Sequence, residues 1–96
     1  MERRNKPRMS NPFRATVRGT DAFGKRFEAD TVVDNLSTGG LYLRLAEIVK
    51  PRTKMQVIIW LSEAGRILVN GEVLRVELQT DRRVGVAMAF KSHRFL

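Results

Sequence analysis

The residues of this chain best suited to hold a small charged ligand fall in two short stretches. Arg4 and Arg8 stand in Arg4-Asn5-Lys6-Pro7-Arg8, and Asn35, Ser37, Gly39 and Gly40 stand in Asn35-Leu36-Ser37-Thr38-Gly39-Gly40. A guanidinium is a planar fork that grips phosphate oxygens, or the O6/N7 edge of guanine, through two bonds at once, and its flat face stacks on purines. Lysine would neutralise charge without reading such an edge. Pro7 disfavours helical geometry at Lys6 and in any continuing helix, so the first stretch reads as an extended arm. Residues four apart in an extended chain point to one side about 13 Å apart, a spacing that reaches two ends, or two copies, of a nucleotide. Asn35 and Ser37 likewise share one side of a strand end. The Asn amide matches the donor–acceptor edge of a base, the hydroxyl can donate or accept, and Gly39-Gly40 lets backbone approach a flat ring. The same spelling is a good β-turn composition as well. Taken together, the two stretches suit a guanine-bearing phosphodiester that is bound rather than transformed.

Catalytic chemistry has little to work with. Asp30 and Asp34 share a face of the second apolar run, yet surface carboxylates on a basic protein more often balance charge than exchange protons. There is no cysteine, hence no disulfide, thiolate ligand or thiol nucleophile, and His93 is the single histidine. No GxxxxGK[ST] phosphate loop is present. The reading is therefore not an enzyme, with no metal or cofactor. At 96 residues the chain has room for one domain, and a domain of this size buries only about 60–70% of its unfolded surface. The apolar fraction of 43% and charged fraction of 29% are those of a globular protein. No apolar run approaches the ~20 residues of a membrane span, and Met1 to Arg14 is polar and basic, unlike a secretory segment. The expected address is cytoplasmic. A net charge of +8 calls for an anionic partner: nucleotide, nucleic acid, lipid headgroup or acidic protein surface. Arg3, Arg4, Lys6, Arg8 and Arg14 face only Glu2, so the first fourteen residues hold half of that excess.

Strands must position these residues. From Asn11 onward the apolar pattern has period two. Phe13, Ala15 and Val17 form one apolar side, Gly19 to Gly24 reads as a loop, and Phe27, Ala29, Thr31 and Val33 form the next, stopping at Asp34-Asn35. Leu41, Leu43 and Leu45 follow, with Tyr42 and Arg44 opposite. Pro51 limits Ala46 to Lys54 to a connection. Met55, Val57, Ile59 and Leu61 come next, and since Ile58 and Trp60 make the other face apolar too, that strand is expected to be central or covered on both faces. Ile67, Val69 and Val73 are odd-numbered while Leu74, Val76 and Leu78 are even, so the inward face changes parity near Val73. One bent strand with a bulge explains this better than an Asn70-Gly71 hairpin turn, which would leave two very short strands. Val84, Val86, Met88 and Phe90 form the last inward set, opposite the small residues Gly85, Ala87 and Ala89, which leave room for close approach. Six short strands and no long helix predict an all-β barrel.

The form ERR-x-x-x-R over Glu2 to Arg8, then some 25 residues of β pattern, then NxSxxG over Asn35 to Gly40, resembles the PilZ family of cyclic di-GMP receptors. The resemblance takes in Val84-Gly85-Val86-Ala87-Met88-Ala89-Phe90 near the end. It implies a six-stranded antiparallel barrel over residues 13–96 with a flexible basic N-terminal arm over residues 1–12. By resemblance, Arg4 and Arg8 would contact phosphates and guanine edges and stack on the bases, while Asn35, Ser37 and Gly40 would meet a guanine from the barrel surface. Arg3, just before the motif, resembles members associated with an intercalated ligand dimer. Two departures stand out. Many members end in a C-terminal helix, whereas only Lys91 to Leu96 follow the last predicted strand. Some carry an aromatic in the penultimate strand to cover a base, where this chain has Val73, Leu74, Arg75 and Val76; Arg75 could stack in its place, although an exposed strand arginine is the plainer reading.

The expected function is thus a sensor: a cyclic dinucleotide orders the arm and alters a downstream protein partner not identifiable from sequence. One alternative is a barrel that stacks single-stranded nucleic acid on Phe13, Phe23, Phe27, Tyr42 and Trp60. Most of those aromatics occupy inferred core positions, which argues against nucleic acid. The other alternative is a PilZ-like protein-interaction adaptor that does not bind the nucleotide.

Overall fold

The computed structural model describes residues 12–61 and 65–96. Their regular structure is all strand: β1 (Phe13–Thr20), β2 (Arg26–Leu36), β3 (Gly40–Leu45), β4 (Lys54–Trp60), β5 (Arg66–Leu78) and β6 (Val84–Phe95). The strands pair antiparallel and close into a barrel in the order β1-β2-β3-β6-β5-β4, with β4 returning to pair with β1. The alternation read from the sequence sets which side chains enter. Leu41, Leu43 and Leu45 from β3 and Met55, Val57 and Ile59 from β4 are buried, joined by Ala15, Val17, Val33, Val69, Val73, Val84, Val86 and Met88. Every strand contributes to this one core. The outward Ile58 and Trp60 of β4 are half-buried; the Arg14 guanidinium lies over the Trp60 ring, 4.9 Å from its centroid, a cation–π contact that covers part of that apolar face.

β3 and β4 are not neighbours, so residues 46–53 must cross one end of the barrel. Val49 from this crossing is 2% exposed and joins the core, a role its place in a connection did not suggest. The crossing is tied down by Ala22 N–H donating to Ile48 O at 2.7 Å and Arg52 N–H donating to Val73 O at 2.7 Å. Pro51 supplies the turn: Thr53 N–H bonds Lys50 O at 3.2 Å, and Arg52 takes φ 74°, the positive φ that a type II turn requires after its proline.

β5 is one strand running through Asn70-Gly71, with register shifts against β6 between Asn70 and Gly71 and between Val73 and Arg75. Gly71 is there because β6 passes close by. A Cβ at Gly71 would collide with the Ala89 carbonyl oxygen and with the Met88 side chain. The second shift is a bulge at Leu74, which produces the parity change. Of the three even-numbered residues expected to turn inward, only Val76 packs on the core. Leu74 is 61% and Leu78 85% exposed, the first because it is the bulged residue and the second because it lies at the barrel's end. β2 likewise runs past the expected stop, through a bulge between Val33 and Asn35, to Leu36. β6 continues to Phe95, so Lys91 to Phe95, read as following the last strand, belong to it. Lys91 to Arg94 are polar on both faces, so this extension carries no period-two apolar signal.

Candidate functional site

The turn between β2 and β3 is built by its own residues. Ser37 N–H donates to Gly40 O at 3.0 Å, and the Ser37 hydroxyl accepts from Gly39 N–H and donates to Gly40 O, each at 3.3 Å. The turn reading of Ser37 therefore holds, with its hydroxyl engaged locally. Gly39 O accepts from Phe90 N–H at 2.9 Å, which fastens the turn to β6. The two glycines differ. A Cβ at Gly39 would meet nothing within 4 Å, whereas a Cβ at Gly40 would collide with the Met88 carbonyl oxygen. Gly40 is required by the β3–β6 contact, and Gly39 leaves an open approach to the backbone.

Asn35 sits just before the turn, exposed, and its amide has no hydrogen-bond partner among the described residues. The bulge at Asp34 sets its direction, since it places Asn35 opposite the outward Tyr42. Asp34 itself is held by a two-point bond from Arg44, Nε to Oδ2 at 3.0 Å and Nη2 to Oδ1 at 3.3 Å, while Asp30 accepts from the Thr16 hydroxyl at 2.9 Å. The two aspartates are thus separate structural anchors.

Across the outer face the ladders align Asn35, Tyr42, Ala87 and Arg75 in one row. With strands about 4.8 Å apart, that row is about 14 Å long. A second row runs from Gly40 through Ala89 to Glu72. The result is a floor of Gly40, Ala87 and Ala89 with polar groups at its rim, while Gly85 is buried beneath Tyr42. Tyr42 leans across Gly85, where any Cβ would collide with its hydroxyl. That hydroxyl donates to Glu77 Oε1 at 2.9 Å and accepts from Gln79 Nε2 at 3.0 Å, while Arg75 Nε donates to Glu77 Oε2 at 2.8 Å. Burial, and next the Glu77 carboxylate that accepts its hydrogen bond, raise the Tyr42 phenol above its ordinary pKa. The hydrogen bond from Arg75, then that from Tyr42, hold the Glu77 carboxyl below its own. The small floor was legible in the sequence; the Tyr42–Glu77–Gln79 network was not, because its members are more than thirty residues apart.

Arg3, Arg4 and Arg8 lie outside the described residues. β1 begins at Phe13, paired with Val33, two positions from Asn35. An open groove of about 800 Å³ is lined by Arg18, Lys54, Gln56, Asn70, Glu72 and Lys91 among others. Two of its four cations are paired, Arg18 with Glu28 at 3.0 Å and Lys91 with Glu72 at 3.4 Å, and the Asn35–Gly40 turn does not line it. The small-residue floor is the better candidate site. Among the described residues no three His, Cys, Asp or Glu side chains are placed to hold a metal ion, and no helix is long and apolar enough to cross a membrane.

A family model described as PilZ domain matches residues 2–94. No curated protein matches the sequence. Among solved structures, the Bacillus subtilis inhibitor of motility (MotI/DgrA) superposes with a TM-score of 0.71 at 18% identity, over 96% of this chain and 44% of its own. Apo MrkH of K. pneumonia gives 0.61 at 19% identity, over 95% and 45%. The PilZ domain with c-di-GMP of YcgR from Escherichia coli gives 0.60 at 16% identity, over 95% and 79%. This chain therefore spans less than half the length of the MotI and MrkH chains it matches.

Proposed function

Because the chain belongs to the PilZ domain family, we propose that it is a receptor for cyclic di-GMP, a binding module rather than an enzyme. The observation that carries this reading is the outer face around the β2–β3 turn, where an Asn35 amide with no partner among the described residues and an open Gly39 backbone border a floor of glycine and alanine. A flat base can lie on such a floor without displacing side chains, and the amide can pair with its edge. Structures of the YcgR PilZ domain with c-di-GMP and of a MrkH–c-di-GMP complex support the choice of ligand. In this proposal residues 1–12 act as an arm, with Arg4 and Arg8 gripping phosphates and guanine edges, and residues 13–96 are the barrel that seats the ligand. Arg75, at the far end of the Asn35 row, could stack where other members carry an aromatic, although its ion pair with Glu77 fits the plainer reading of an exposed strand arginine. Closure of the arm changes the surface offered to a downstream protein, which converts ligand concentration into an output. A micromolar affinity needs about 8 kcal/mol in total, within reach of several charge-assisted bonds and stacked rings.

Isothermal calorimetry with cyclic di-GMP at physiological salt tests this, with GMP and a short single-stranded oligonucleotide as controls. Saturable binding confined to the cyclic dinucleotide is expected, and its stoichiometry reports whether Arg3 accompanies a ligand dimer. Arg4→Ala or Arg8→Ala should abolish that heat while leaving the melting temperature unchanged. Normal binding by either variant overturns the role given to the arm, and a folded wild-type protein that gives no heat favours the adaptor instead.

A further inference from the structure

The barrel is closed over only part of its height. β4 pairs with β5 from Arg66 to Glu72, and the backbone of Arg52 and Thr53 bonds Val73. Beyond that point Leu74 to Leu78 has β6 on one side and no strand among the described residues on the other. Ladder parity identifies the groups that face the open side. Gln79 N–H donates to Arg83 O at 3.0 Å, and hydrogen-bonded pairs alternate along an antiparallel ladder. Glu77 with Gly85 and Arg75 with Ala87 are therefore bonded toward β6. Val76 and Leu78 turn their own N–H and C=O to the open edge. Beside these groups stand Leu74 and Leu78, 61% and 85% exposed, at an edge that carries no proline to block pairing.

The order Leu74-Arg75-Val76-Glu77-Leu78 is complementary to itself when paired antiparallel about Val76. Leu74 then opposes Leu78 of a second copy, Arg75 opposes Glu77 of that copy, and the two Val76 residues exchange both backbone bonds on a two-fold axis. We infer that Leu74 to Leu78 is a homodimerisation edge, at which a second copy of this chain extends the sheet. Arg75 uses only Nε on its own Glu77; its two Nη groups have no partner among the described residues and point to the chemistry needed, a carboxylate across the edge. Pairing ends at Thr53 on one side and at the Gln79–Arg83 turn on the other. An interface of five residues a side falls well short of a standard stable one, so the dimer is weak and depends on concentration. The two-fold axis keeps both outer faces on the same side, which sets the Tyr42–Arg75 surfaces of the two copies next to each other.

Sedimentation velocity and light scattering on the full chain, from micromolar to millimolar protein, test the inference. The mass should rise from one chain to two. Arg75→Glu and Glu77→Arg should each remain a single chain where the wild type pairs, because each places like charges across the axis. An equimolar mixture of the two variants, or the double variant R75E/E77R, should regain the doubled mass. Leu78→Lys, at a position outside the core, is a second way to block the edge should a charge variant melt early. A wild type that stays a single chain at millimolar concentration overturns the inference. So do single charge variants that pair as the wild type does, or a mixture that fails to pair.

Discussion

Tyr42 illustrates what one residue can report. Its hydroxyl is fixed between Glu77 and Gln79, and burial is the main reason its phenol resists ionisation, with Glu77 second. It is the sole tyrosine, so tyrosinate absorbance during an alkaline titration reads it without overlap from another phenol. The midpoint should lie above the ordinary tyrosine value. Glu77→Gln should move it down only part of the way, since burial remains; a midpoint unmoved by that variant would contradict the assignment of Glu77 as acceptor and charge. The linkage has a definite sign. A phenol with a raised folded pKa contributes its full stabilisation below the ordinary tyrosine range and loses it as pH rises through the raised value. Glu77, with a lowered pKa, contributes above the ordinary glutamate range and loses that as pH falls through its lowered value, a small term for so exposed a group.

Among the elements, the β2–β3 turn separates two glycines that the sequence presents as a pair. Gly40 is pressed against the Met88 carbonyl, and Gly39 faces open space. Gly40→Ala must push β3 from β6 or distort the turn, an overpacking that costs about 1–3 kcal/mol. In a domain of this size each kcal/mol lowers Tm by about 4–8 °C. Gly39→Ala should leave Tm nearly unchanged and, under the proposed function, weaken cyclic di-GMP binding by placing a methyl group where that ligand would approach. Paired thermal melts and calorimetric titrations check both. Equal melting of the two variants would undo the distinction. The bulge at Asp34 works at the same scale: by inserting one residue it brings Asn35 into the Tyr42 row, and the Arg44 fork on Asp34 holds that insertion in place.

In the molecule as a whole, closure rather than any single contact makes the site. A core fed by all six strands holds the outer rows at fixed spacing, so damage at its centre should spread to every strand. Leu43 is fully buried, and Leu43→Ala should cost about 2–5 kcal/mol through lost transfer energy and the cavity left behind. Chemical denaturation is expected to show one transition displaced to lower denaturant with an unchanged slope, as for a single cooperative unit. Two separated transitions would mean that the open-edged β5–β6 ribbon melts independently of the ring.

Much of this protein was determined by local pattern. Period-two alternation is a property of neighbouring residues, and it was enough to locate six strands, most of the inward faces and the bend in β5. The RxxxR and NxSxxG spellings, in their order and spacing, were enough to identify the family. What depended on residues far apart in the chain was decided only in the folded molecule. Leu74 and Leu78 share the apolar parity of Val76, yet one is bulged and the other lies past the end of the core, because where a strand leaves the barrel depends on its neighbours' lengths. Lys91 to Phe95 form strand with no apolar alternation, since β5 supplies the hydrogen bonds. Val49 became core because residues 46–53 have to cross between strands that are not adjacent. Gly40 and Tyr42 acquired their roles from Met88 and Glu77, partners that the closure order brings within contact. Composition and periodicity act within a few residues, whereas the register between distant strands is set by packing the whole core at once.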